Sequence, residues 1–125
     1  MRSVVDNGRT HAQIMDLPPA KDGTDQGPTA LEVCVMSLAG CISTIFAVFA
    51  KKMRLEFTAL KVTIDAEKPD DADTITKVTI NMDIQTEAKE DKIERCFDMT
   101  CQNCPVGVLY RQAGVEIVKN INING

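Results

Sequence analysis

Residues 28–52 read PTALEVCVMSLAGCISTIFAVFAKK. The 18 residues from Val33 to Ala50 carry no charge, with Glu32 just before them and Lys51, Lys52 and Arg54 after, a polarity that suits a helix macrodipole. The stretch predicts one long helix, apolar on nearly every face, with Cys41 near its middle. Such a helix belongs either at the centre of a packed protein or in a bilayer. Eighteen residues is the lower limit for crossing about 30 Å of hydrocarbon. Ser37, Gly40, Ser43, Thr44 and two cysteines also blunt the hydrophobicity, so a core helix is the expectation and a membrane is not. A chain of 125 residues is short to wrap this helix alone, which predicts a homodimer whose second copy supplies part of the cover.

Working outward, the length implies a single domain over residues 1–125 with one core. The balance of 14 basic against 18 acidic residues, net −4, with no basic cluster outside Lys51 to Arg54, excludes nucleic acid as an expected partner. Aromatic residues make up 4% and tryptophan is absent, which argues against stacking platforms for bases or sugars. The opening MRSVVDNGR lacks the apolar run of a secretory signal, so the expected location is cytoplasmic.

Upstream of the helix, residues 2–6 and 9–15 flank Asp6-Asn7-Gly8 and predict a β-hairpin within 1–16. LPPAKDGTDQG, residues 17–27, is expected to be an irregular loop, followed by the central helix over 28–53. Beyond it, Leu60, Val62, Ile64 and Ala66 alternate with polar residues, and Thr74, Thr76, Val78, Ile80, Met82 and Ile84 repeat the alternation, predicting two antiparallel strands. From about Glu87 the period changes: Ile93, Cys96, Phe97, Cys101 and Cys104 form one helical stripe. Pro105 starts a short helix closed by Gly114, and Val115 to Ile123 reads as a last strand. The fold class is therefore α+β in the order ββαββααβ, an antiparallel sheet of about five strands on helices, with residues 56–125 supplying ββααβ.

Five cysteines, Cys34, Cys41, Cys96, Cys101 and Cys104, are too many and too odd in number for a structural disulfide set in a reducing compartment. Cys41 follows Ala39-Gly40, where another element could come close; in apolar surroundings its thiol is inert unless a cation is near. Cys34, about 10 Å up the axis on the same face, is out of disulfide reach and reads as core. Cys104 precedes Pro105 and is expected to cap the short helix, which would lower its pKa. Cys101 and Cys104 form Cys-x-x-Cys, a spacing open to zinc, with Cys96 and the single His11 as further ligands, or to a disulfide.

Two motifs carry a resemblance. GPTALEVCVMSLAGC, Gly27 to Cys41, resembles the segment in which the OsmC/Ohr family (osmotically inducible protein C and organic hydroperoxide resistance protein), in its OsmC-like branch, places a peroxidatic cysteine on a long central helix. Cys104-Pro105-Val106 matches the second family motif, and the close Ala113 to Ile117 agrees as well. The resemblance implies an intertwined homodimer and a thiol peroxidase without metal, haem or other cofactor. Cys41 would attack an organic hydroperoxide and become a sulfenic acid. Cys104 would condense with it to a disulfide, and a dithiol reductant, lipoyl-like or thioredoxin-like, would reset the pair. Antioxidant service in the oxidative stress response would follow.

The resemblance also implies an arginine and a glutamate that support the thiolate. Glu32 matches the glutamate; Arg9 is the candidate arginine, with Arg2 behind it. Glu32 lies about 13.5 Å of helix rise from Cys41, so any part it plays runs through an arginine or across a dimer interface. Cys101 is an addition to the pattern and offers Cys104 a second disulfide partner. Two other readings stay open on the residues alone: a non-catalytic module of this fold binding a thiol-bearing or acyl ligand in the dimer cleft, and a zinc or thiol–disulfide protein built on Cys101 and Cys104.

Overall fold

A computed structural model describes residues Met1–Gly125. The elements run β1 (Ser3–Asp6), β2 (Ala12–Met15), α1 (Ala30–Lys52), β3 (Ala59–Glu67), β4 (Lys77–Gln85), α2 (Glu90–Asn103), α3 (Pro105–Gln112) and β5 (Glu116–Ile123), with one 3₁₀ turn at Pro19–Lys21. The order ββαββααβ is as expected. The chain forms two compact units, Met1–Met36 and Ser37–Gly125, divided within α1.

In the first unit β1 and β2 pair antiparallel, Ser3 opposite Met15 and Asp6 opposite Ala12. The second strand is shorter than the 9–15 run expected because the Asn7 carboxamide spans the turn, accepting from the amides of Arg9 (3.0 Å) and His11 (3.4 Å). Residues 17–27 are not irregular throughout. They wrap the carboxylate of Asp16, only 4% exposed, which accepts from the Thr24 hydroxyl (2.6 Å) and the amides of Leu17 (2.8 Å) and Gln26 (3.1 Å). These donors, Thr24 first, hold the Asp16 carboxyl well below the usual carboxylate range. Gly23 is required there: a side-chain carbon would sit 1.8 Å from the Leu17 carbonyl oxygen.

α1 starts at Ala30 rather than Pro28, because Thr29 and Glu32 form a capping box. The Glu32 amide donates to Thr29 Oγ1 (3.1 Å) and the Thr29 amide to Glu32 Oε1 (2.9 Å). At its other end Arg54 turns left-handed (φ 56°) and the Leu55 amide returns to the Ala50 carbonyl at 2.8 Å, the closure usual at helix ends.

The second unit holds the core. Its sheet has the order β3-β4-β5, so the five strands form two sheets, β1-β2 being separate. β3 and β4 are antiparallel with Leu60 opposite Ile84. β5 pairs parallel to β4, with Val78 opposite Ile117, so the sheet is mixed where an antiparallel one was expected. The α2–α3 segment is a crossover that returns the chain to the starting end of β4, and a strand entering from that end runs parallel. Central β4 buries Val78, Ile80, Met82 and Ile84 against Leu38, Ile42, Phe46 and Ala50 of α1 and Ile93, Cys96 and Phe97 of α2.

α1 is covered along this one row only. Met36 and Val48 are 53% and 48% exposed, so the single chain does not enclose the helix; one sheet-and-helix layer has a single face to offer it. A side-chain carbon on Gly40 would meet nothing within 4 Å. The close approach expected at Ala39-Gly40 is therefore not made within the chain. Cys34, read as core, is exposed because the buried row stops at Leu38.

Candidate active site

Cys41 lies one residue outside the buried row, between Leu38 and Ile42, and is half-buried. Cys104 is fully buried. It caps α3 with an extended backbone (φ −79°, ψ 110°), the conformation favoured before proline, and its Sγ accepts from the Gly107 amide at 3.3 Å. α1 and the α2–α3 junction bring Cys41 near enough to Cys104 for its side chain to raise the Cys104 pKa.

Burial, ahead of Cys41, overturns the lowered pKa expected for Cys104 from its cap position. The helix-start amides of Gly107 and Val106 pull the Cys104 pKa down, as a cap position implies, but burial first and the Cys41 side chain second outweigh them, and the thiol is pushed up to about 11. Cys104 therefore keeps its proton at neutral pH. The protonated thiol is favoured in the folded state, so this contribution to stability is present below the ordinary value of 9.0 and is lost as pH rises toward about 11. Urea titrations should show stability falling across that window, less steeply in Cys104→Ser; equal slopes would contradict the burial of this thiol.

Beside the pair, a cavity of about 340 Å³ is lined by apolar Leu38, Ile42, Ile80 and Ile117 and by Cys101, Cys104, Arg111 and Lys119. Arg111 Nη1 donates to the Cys101 carbonyl at 3.5 Å, and Lys119 reaches Asp98 at 3.1 Å. Burial raises the Cys101 pKa and Asp98 adds to it, while Lys119 and Arg111 oppose the rise. Sequence reasoning missed both cations. Arg111 follows Cys104 by seven residues, two helical turns, and could have been found; Lys119 reaches the cavity only through the β4–β5 register.

Arg9 lies in the exposed hairpin turn of the first unit, and Arg2 is exposed. Glu32 is occupied at Oε1 by Thr29, whose amide and hydroxyl lower its pKa. Arg9 and Glu32 form no ion pair with each other; the ion pairs of the chain are Lys77 with Glu67 and Glu116, and Lys119 with Asp98. Cys96 is buried, its thiol facing the Phe46 carbonyl at 3.8 Å, and His11 is engaged by Asn7 at 2.9 Å. No three His, Cys, Asp or Glu side chains are grouped to hold a metal ion.

These features define a class: α+β proteins that set a cysteine of a long helix against another at the start of a short one. The family model for OsmC-like protein matches residues 23–118, and the chain belongs to the OsmC-like family. Solved structures share the fold at low identity. The OsmC-like protein of Mycoplasma pneumoniae superposes with a TM-score of 0.83 at 13% identity, covering 98% of this chain and 95% of its own. The organic hydroperoxide resistance protein OsmC of Legionella pneumophila gives 0.67 at 10% identity, covering 98% and 95%. That of Elizabethkingia anophelis gives 0.73 at 10% identity, covering 98% and 94%. No curated protein matches the chain by sequence.

Proposed function

We propose that the protein reduces organic hydroperoxides to alcohols with its own cysteines. The observation that carries the reading is Cys41 near enough to buried Cys104 to raise its pKa, with a largely apolar cavity beside Cys104. Cys41, as thiolate, attacks the distal oxygen; the O–O bond breaks and the alkoxide leaves, taking a proton to become the alcohol. Cys41 is left as a sulfenic acid. The Cys104 sulfur displaces its hydroxyl, forming the Cys41–Cys104 disulfide and releasing water. A dithiol, lipoyl-like or thioredoxin-like, returns both to thiols by exchange. The names of the Legionella and Elizabethkingia structures support this substrate class.

Arg9 and Glu32 enter as charged support for the thiolate on the family resemblance; Oε2 of Glu32 is left for a guanidinium by the capping box. Cumene hydroperoxide should be consumed in step with an added dithiol. No consumption, together with a Cys41 pKa above about 8.5, the free-thiol value, would instead favour a non-catalytic module that binds a thiol-bearing or acyl ligand.

The working unit in this reading is a homodimer. The α1 window that would suit a membrane by length and composition has mean hydropathy 2.3 but is only 22% buried within the protomer. Exposed Met36 and Val48, on different sides of α1, are apolar surface that a second copy would cover. Sedimentation should give twice the 13.7 kDa of the chain; a monomer at micromolar concentration would remove the dimer.

A further inference from the structure

Cys104, once joined to Cys41, is a buried sulfur that an external dithiol reaches poorly. Cys101, three residues earlier in the last turn of α2, is partly exposed where Cys104 is fully buried. It lines the same cavity as Cys104, together with Arg111 and Lys119. The only break in helical backbone between the two cysteines is at Cys104 itself, whose extended conformation ends α2 and starts α3. A partly exposed thiol that shares a cavity with two cations and lies three residues from the buried Cys104 sulfur is placed to carry an oxidising equivalent outward.

We propose that Cys101 is a relay thiol, which takes over the disulfide from Cys41 by bonding to Cys104 at the rim of this cavity. The proposal rests on the peroxidase reading for the origin of the first disulfide. The Cys101 thiolate, its proton released to water, attacks the Cys104 sulfur of the Cys41–Cys104 disulfide. The Cys101–Cys104 bond forms, the Cys41–Cys104 bond breaks, and its electron pair leaves with Cys41 as thiolate. No net oxidation occurs: one disulfide replaces another. Cys41 is free for a second hydroperoxide while the oxidising equivalent waits as Cys101–Cys104, where a dithiol reductant can reduce it. Lys119 and Arg111 favour the attacking thiolate, against the burial and the Asp98 charge that raise its pKa.

The test follows disulfides in time in the reduced full-length protein without reductant. One arm receives cumene hydroperoxide and the other diamide, which oxidises thiols without peroxide chemistry. Samples are alkylated, digested with trypsin and mapped by mass spectrometry. Cys41–Cys104 links two peptides, whereas Cys101–Cys104 closes a loop within one, since no Lys or Arg lies between residues 96 and 110.

The relay predicts that Cys41–Cys104 appears first and decays into Cys101–Cys104 as Cys41 regains alkylation. It also predicts that wild-type protein consumes a second equivalent of hydroperoxide per protomer, leaving a dimedone-reactive sulfenate on Cys41. Cys101→Ser and Cys101→Ala should stop at the first equivalent with Cys41–Cys104 persistent. Cys41–Cys104 as the lasting product in wild type with Cys101 alkylated, Cys101–Cys104 without that precursor, or a Cys101 bond between two chains would each overturn the relay. Hydroperoxide left unconsumed while diamide still produces the ordered shift would remove the peroxidase reading and leave the relay standing.

Discussion

Cys41→Ser is expected to bring hydroperoxide consumption down to the rate without protein, a loss of at least ~10³-fold, as removal of a nucleophile costs in other enzymes. A serine hydroxyl is barely ionised at neutral pH and its oxygen does not displace peroxide oxygen as sulfur does, so nothing at that position replaces the thiolate. Cys41 is half-buried and outside the row of Leu38, Ile42, Phe46 and Ala50, so the substitution leaves the core packing alone. Folding can be confirmed by an unchanged urea midpoint. Peroxide loss monitored with excess dithiol provides the measurement, and turnover at the wild-type rate would take Cys41 out of the chemistry.

Cys104→Ser separates the two halves of the cycle. The first hydroperoxide should still be reduced, because the attacking sulfur is untouched. Without a thiol in contact with the sulfenic acid, Cys41 then has no partner for condensation at that position. Excess peroxide should carry it to the sulfinic acid, the irreversible rung. Expected readouts are one equivalent of alcohol per chain and dimedone labelling of Cys41 with stoichiometric hydroperoxide, a second equivalent of alcohol as the sulfinic acid forms in excess, and loss of activity within the first turnovers. Sustained turnover in this variant with an intact dithiol supply would mean that Cys104 does not resolve. A buried site filled by a hydroxyl rather than a thiol also shifts stability by about 1 kcal/mol, so the urea midpoint is read alongside.

Much of this was legible because it depends on local chemistry. An uncharged run between Glu32 and Lys51 announces α1, two-residue alternation announces β3 and β4, and Pro105 after Cys104 sets both the start of α3 and the cap that Gly107 donates to. What escaped depends on distant partners. The parallel pairing of β5 is decided by the crossover, and its register alone brings Lys119 to the cavity. The Asp16 loop was hidden because its donors, Leu17, Thr24 and Gln26, converge from up to ten residues away. For Cys104 the cap was legible, but the opposing influences of burial and Cys41 were not, and they decide the direction of its pKa. Cys34 shows the limit of composition: a small apolar-looking residue on a core row is exposed once the row runs past its cover.

The central claim is that Cys41 and Cys104 are a redox pair. It is tested most directly in Cys101→Ser protein, where no relay can intervene, by adding one equivalent of cumene hydroperoxide and mapping cysteines after alkylation. The account predicts the peptide containing Cys41 covalently joined to the peptide containing Cys104, within one chain. Recovery of both cysteines alkylated while Cys34 or Cys96 carries the oxidation would contradict it.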